Sequence, residues 1–195
     1  MNIAIVGATG NVGRKTLEVL EKKGLTLGNL YLVASSKSAG KKIHFQGKDI
    51  VVSELENFDF SKVKIAFFAA GGKISEKFAE KAAKHCLVID NSSFFRMDPD
   101  VPLIVPQVNS DALNNVKKNI IANPNCSTAQ LVIALKPLHD LFVIKRIVVS
   151  TYQSVSGAGK ASMDELIKQT LSLIHISEPT RRRGRAYAVF CLKKK

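Results

Sequence analysis

Cys126 stands in Asn123-Pro124-Asn125-Cys126-Ser127-Thr128, between a turn signal and the apolar run Ala129 to Leu135. Asn-Pro-Asn reads as a turn. Asn125 suits an N-cap, which puts Cys126 in the first turn of the helix that follows. Unpaired N–H groups and the positive dipole end gather there and favour an anion. A thiol so placed is expected to ionise more readily than a free one and to serve as a nucleophile. The competing reading is a small buried residue that fills space. Two further stretches carry chemistry. Arg96, within Asn91-Ser92-Ser93-Phe94-Phe95-Arg96-Met97-Asp98-Pro99-Asp100, can fork onto a phosphate or carboxylate, or can pair with Asp98 or Asp100. Ser154-Val155-Ser156-Gly157-Ala158-Gly159-Lys160 offers pliable backbone and hydroxyls to a ligand, although its order is not that of a Walker phosphate loop.

The elements that must position these residues start at the N-terminus. Asn2 to Val6 is a continuous apolar run without alternation, as in a strand buried on both faces of a parallel sheet. Gly7-Ala8-Thr9-Gly10-Asn11-Val12-Gly13 follows, and then a helix in which Val12, Thr16, Val19 and Leu20 share a face. Strand, glycine turn and helix form the context of a dinucleotide fingerprint, here spaced G-x-x-G-x-x-G. Gly7 permits the tight turn, Gly10 admits a phosphate, and Gly13 lets helix and strand pack closely. The pyrophosphate would rest on the helix N-terminus. The alternative is a merely structural turn.

Residues 29–34 read as a second strand. The carboxylate that would hold a ribose 2′-hydroxyl is missing from its end. Ser35-Ser36-Lys37-Ser38 stands there instead, with Lys41 and Lys42 beyond. Hydroxyls and ammonium groups suit a 2′-phosphate, which favours NADP over NAD, against the alternative of an ordinary polar loop. A hairpin is expected at 43–52, pivoting on Gly47-Lys48. Strands are expected at 64–70, ending in Gly71-Gly72, and at 87–90, with a helix at 75–85 between them. A short helix is expected within 111–118, a helix from the cysteine turn to near Leu141, a long β-prone run at 143–153, and a helix from Ala161. The order β-α-β-β-β-β-α-β predicts an α/β, doubly wound, mostly parallel sheet with an inserted hairpin. Ligands bind outside the carboxyl ends of such a sheet, where Asn91 to Asp100 falls.

Composition narrows the possibilities. The chain has 195 residues and a net charge of +13. Seven basic residues lie in 171–195 against Glu178 alone, close to half of that charge. The remaining lysines are spread over helical faces such as Glu76 to Lys84, where solvation is their ordinary role. With no aromatic interleaving, nucleic acid is not an expected partner. No apolar run reaches the roughly 18 residues of a membrane span, and Met1-Asn2 leads into a strand without a basic leader. Cys86, Cys126 and Cys191 form no metal or disulfide pattern, which fits a reducing, cytoplasmic setting. Cys86 reads as packing.

Four of these segments in this order resemble the aspartate-semialdehyde dehydrogenases: the Gly7–Gly13 turn, Asn91-Ser92-Ser93 with Phe95-Arg96-Met97-Asp98, Pro124-Asn125-Cys126-Ser127-Thr128, and Tyr152-Gln153-Ser154-Val155-Ser156-Gly157. The related acetylglutamyl-phosphate reductases fit the Arg96 and Gln153 segments less well. A non-catalytic dinucleotide-binding module is the alternative from another class. The resemblance covers residues 1 to about 170 and implies NADP-linked, reversible reductive dephosphorylation of aspartyl phosphate to the semialdehyde, a step toward lysine, threonine and methionine. It implies a Rossmann-like domain at 1–125 and the start of an α+β catalytic and dimerisation domain at 126–170, with homodimers or homotetramers in the parent enzyme. It makes Cys126 the nucleophile and Gln153 the residue that positions substrate beside it. Arg96 would bind the phosphate and Asn125 would orient the acyl oxygen. Gly7, Thr9, Gly10, Asn11, Val12, Ser35, Ser36, Lys37, Ser38 and Gly71 would hold the cofactor, with Ser156 and Gly157 near its nicotinamide. No metal is implied. The family's acid–base histidine and substrate-carboxylate arginine have no counterpart, since His44, His85, His139 and His175 all lie outside its motif.

Residues 171–195 break the preceding pattern. Leu171-Ser172-Leu173-Ile174-His175-Ile176-Ser177-Glu178-Pro179-Thr180-Arg181 resembles the conceptual translation of a sequencing-library adapter, and Tyr187 to Leu192 with three lysines resembles its far end running into an A-tract. This stretch is expected to be an artefactual tail, and 126–170 a truncated second domain.

Overall fold

The computed structural model describes residues 1–171, so the expectations for the tail, His175 and Cys191 lie outside the described residues. Two units are distinguished, Met1–Pro124 and a second that opens at Asn125.

The first unit is built on a seven-stranded sheet: β1 (Ile3–Val6), β2 (Leu30–Ala34), β3 (Lys42–Phe45), β4 (Lys48–Glu54), β5 (Ile65–Phe68), β6 (Leu87–Asp90) and β7 (Ile120–Ala122). The order across it is β3-β4-β2-β1-β5-β6-β7. All neighbours are parallel except the hairpin pair β3 and β4. Helices α1 (Asn11–Lys22) and α2 (Gly72–Ala83) lie in the crossovers. A short α3 (Pro106–Asn109) and a 3-10 segment Ser110–Asn115 precede β7. This is the expected α/β, doubly wound sheet, extended by β7.

Period-two alternation sends the strand residues to two cores. Ala4, Val6, Ala66, Phe68 and Val88 join Phe78, Ala79 and Ala82 of α2. Ile5, Leu32, Ala34 and Val52 join Leu17 and Leu20 of α1. The register aligns Val33, Val6, Phe68, Asp90 and Ala122 in one row across the carboxyl end. The residues that leave the sheet just beyond it, Gly7, Ala69, Asn91 and Asn123, therefore emerge side by side. Chain reversal lies between β1 and β5, the place where open α/β sheets bind ligands.

Several local expectations are corrected. The buried face of α1 is Gly13, Leu17 and Leu20, while Val12 and Val19 are exposed. Both stripes have helical spacing. The one containing Gly13 packs inward because its missing side chain lets the helix touch the turn below it. The hairpin turns on Gln46 and Gly47, both at positive φ (45° and 77°), and Lys48 already belongs to β4. Helix α2 begins at Gly72, three residues before the expected start. The helix expected within 111–118 is the 3-10 segment Ser110–Asn115.

In the second unit α4 (Cys126–Phe142) and α5 (Lys160–Leu171) flank a 3-10 turn, Val155–Ala158. The strand expected at 143–153 is not formed. A strand needs a neighbour for its N–H and C=O groups, and this unit has no other strand among the described residues. Val148 and Tyr152 stand open to solvent there.

Gly13 carries the first test of this fold. A Cβ on Gly13 would overlap the Gly7 carbonyl and the Ala8 Cα, both backbone atoms that have little room to move. Gly13→Ala should cost roughly 2 to 3 kcal/mol of stability, measured by urea unfolding.

Candidate active site

The carboxyl edge of the first unit brings together most of the residues singled out from the sequence. Gly7 sits at φ 86°, and a Cβ there would lie 2.7 Å from the Ala69 carbonyl oxygen. Only glycine fits both the left-handed backbone and that approach. Its N–H donates to the Val33 carbonyl at 2.8 Å and its own carbonyl accepts from Gly10 N at 2.9 Å. The turn is thereby clamped between the ends of β1, β2 and β5. Gly10 is the N-cap of α1 and no side chain caps the helix, so its first-turn N–H groups face the mouth of the turn. Asn11 and Val12 open α1 and are exposed.

Ser35, Ser36 and Lys37 are exposed on the loop after β2, and Ser38 is half-buried. Thr9 Oγ1 donates to Ser38 Oγ at 3.4 Å, tying the glycine turn to this loop. Gly71, the exposed N-cap of α2, follows Ala69 and Ala70, which back onto Gly7. The glycine turn, the serine–lysine loop and Gly71 thus share one rim. Arg14, which sequence reasoning passed over, belongs with them: its Nε donates to the Thr9 carbonyl at 3.2 Å. A basic residue in the first turn after a glycine motif was the available signal.

Further along the rim, the Asp90 carboxyl is fully buried at the end of β6. It accepts from Ser75 Oγ at 2.6 Å, from Ser92 Oγ at 2.6 Å and from Ser92 N at 3.1 Å. Ser92 Oγ in turn accepts from Phe94 N at 3.1 Å. These bonds shape the 3-10 turn Phe94–Met97 that carries Arg96. The Arg96 Nε donates to the Asn123 carbonyl at 2.9 Å and its Nη2 to the Asn91 carbonyl at 3.2 Å. Asp98 and Asp100 accept from Lys118 and Lys117 at 2.9 and 3.4 Å. The sequence signal for Asp90 was a carboxylate closing an otherwise apolar strand.

In the second unit Asn125 caps α4: its Oδ1 accepts from Ser127 N at 3.0 Å and Ser127 Oγ at 2.7 Å. Cys126 is the first residue of that helix, is exposed, and lies 3.7 Å from the same oxygen. The space-filling reading of Cys126 therefore falls. It does hold for Cys86, which is buried, donates to the Ala82 carbonyl at 3.4 Å, and has its thiol pushed up to about 11 by burial. Gln153 is exposed and its amide donates to Thr151 Oγ1 at 3.3 Å. Ser156 shares a 2.8 Å hydroxyl contact with Ser154, and Gly157 is exposed beside it. No hydrogen bond joins Cys126 to Gln153 among the described residues. The candidate residues divide between the units, with the cofactor set up to Gly71 and Arg96 in the first and Asn125, Cys126, Gln153, Ser156 and Gly157 in the second. Among the described residues no cluster could hold a metal ion, and no helix is long and apolar enough to cross a membrane.

The chain is similar to known proteins. Residues 2–116 match the family profile of the semialdehyde dehydrogenase NAD binding domain, and residues 135–189 match that of its dimerisation domain. The chain is 53% identical over 173 residues to an aspartate-semialdehyde dehydrogenase of Rickettsia bellii, which covers 88% of this chain and 51% of the relative. It superposes with a TM-score of 0.84 and 53% identity on aspartate semialdehyde dehydrogenase II of Vibrio cholerae complexed with ASA, covering 88% of this chain and 52% of that one. The Candida albicans enzyme with NADP gives a TM-score of 0.57 at 31% identity, over 73% of this chain and 48% of that one. The chain spans about half the length of the curated relatives it matches.

The two cysteines should separate in solution. With Cys191 replaced by serine, a maleimide at neutral pH should modify Cys126 and spare Cys86, and labelling of Cys86 should rise only as pH nears about 11. Folding keeps the Cys86 thiol protonated, so its share of stability is complete below its unfolded value of 9.0 and is lost as pH climbs through about 11. Mass spectrometry of the labelled peptides reads the first, and alkaline unfolding of wild type against Cys86→Ala the second.

Proposed function

Because the chain belongs to the semialdehyde dehydrogenase family, we propose that it carries the NADP-binding half and the nucleophile of an enzyme that reduces aspartyl phosphate to aspartate semialdehyde with release of phosphate. The observation that carries this reading is Cys126, an exposed thiol on the first turn of a capped helix. Helix N-termini favour anions. Attack by the Cys126 sulfur on the acyl carbon forms a C–S bond, and the C–O bond to phosphate breaks. Inorganic phosphate departs and a thioester remains, a good acceptor for reduction. When bound, NADPH would supply the hydride for that reduction, and the Cys126 sulfur would be the group released as the aldehyde leaves.

The chain's own residues fit the cofactor. Gly7 and Gly13 let the turn fold tightly under α1, and the uncapped N–H groups of that helix are the donors for a phosphate. Gly71 completes that rim. Ser35, Ser36, Lys37 and Ser38 provide hydroxyls and an ammonium group for a 2′-phosphate, with Thr9 bracing Ser38. Arg96 binds the substrate phosphate, Asn125 orients the acyl oxygen, Gln153 positions the substrate, and Ser156 and Gly157 lie along the nicotinamide. The working protein is a cytoplasmic homodimer or homotetramer. The unit Met1–Pro124 is its dinucleotide-binding domain, and Asn125 opens its catalytic and dimerisation domain.

Three outcomes test this reading. Lys37→Ala should weaken NADP binding roughly tenfold, about 1.4 kcal/mol, while leaving NAD binding unchanged by calorimetric titration. Residues 1–195 alone should give little or no phosphate-dependent NADP reduction with aspartate semialdehyde, since none of their four histidines matches the family's acid–base motif. NADP should nonetheless slow maleimide labelling of Cys126. Equal labelling with and without NADP would favour a dinucleotide-binding module that makes no use of the thiol.

A further inference from the structure

Asn91 and Asn123 leave the sheet as register neighbours, one residue past the paired Asp90 and Ala122. Asn123 N donates to the Asp90 carbonyl at 2.8 Å, which extends the ladder by one rung. Above that rung the side chains meet: Asn123 Nδ2 donates to Asn91 Oδ1 at 2.6 Å. The main-chain carbonyls of the same two residues accept Nε and Nη2 of Arg96. These nitrogens form one edge of the guanidinium, so two carbonyls together fix both its plane and its direction. A single acceptor would leave the group free to swing.

We propose that the Asn91–Asn123 side-chain bridge is a positioning device: it locks the two carbonyls at one spacing and so presets Arg96 for a phosphate group. The proposal rests on the reading of Arg96 as the phosphate-binding residue. Neither asparagine need touch the ligand. Each acts through the arginine, and both supports are anchored beside the buried Asp90, which shapes the turn bearing Arg96 from the other side. An adjustable surface arginine would lose its rotamer freedom on binding phosphate, whereas one already held by two carbonyls has lost much of it in folding.

The test uses the 195-residue chain labelled with 15N-arginine, titrated with inorganic phosphate while the Arg96 Nε–Hε resonance is followed, its assignment fixed by Arg96→Lys. In wild type the resonance should shift with a saturable midpoint. Asn123→Ala and Asn91→Ala should each raise that midpoint about fivefold, the worth of one hydrogen bond. Because both delete the same bond, the double variant should raise it no further. If Asn123→Ala fails to fold, Asn91→Ala removes the bridge from its other end. An unchanged midpoint in a folded single variant, or additive effects in the double, overturns the positioning role. A wild-type Arg96 resonance that ignores phosphate overturns the phosphate-binding reading itself, which separates the two failures.

Discussion

The buried carboxyl of Asp90 is the constraint on which the candidate site depends. A carboxyl removed from water is costly unless its oxygens are supplied with donors. Here the donors come from Ser75 on α2 and from the backbone and hydroxyl of Ser92. Satisfying one group thus ties a helix, a strand end and a loop together. The loop is the one that carries Arg96, and the strand end is where Asn91 and Asn123 emerge. No buried side-chain nitrogen or oxygen is left without a partner among the described residues, so the polar edge of this sheet is fully connected.

A similar logic governs the other end of the rim, with backbone in place of side chains. Gly7 and Gly13 allow the turn, the helix and the end of β5 to approach closer than any Cβ would permit. Helix dipole and uncapped N–H groups then face a common mouth. The serine–lysine loop joins it through a single hydroxyl pair, Thr9 and Ser38, at 3.4 Å. One end of this rim is thus fixed by close backbone packing, and the other carries exposed hydroxyls and an ammonium group.

Much of this was legible in the residues. Short apolar runs without alternation marked the strands because a parallel sheet is covered on both faces. The N-cap at Asn125 was legible because capping is a local matter of one side chain and the N–H two residues on. The run 143–153 shows where local reading stops. Its valines and isoleucines favour extended backbone, yet extension becomes a strand only when a partner supplies the hydrogen bonds, and propensity says nothing about partners. The buried face of α1 was misread for a related reason: two stripes of equal apolarity compete, and the choice was made by contact between Gly13 and a turn six residues earlier in the chain.

The sequence by itself determined the order of strands and helices from β1 to β6, the glycine turn, the capped helix bearing Cys126 and the chemistry available at each, because these depend on residue type and on neighbours within a few positions. Tertiary structure decided what meets across the sheet. β7 beside β6, the three donors on Asp90, and the bridge between Asn91 and Asn123 join residues from 2 to 32 positions apart. Register sets those pairings, and register follows from packing both faces of the whole sheet at once, which no local stretch of chain can specify.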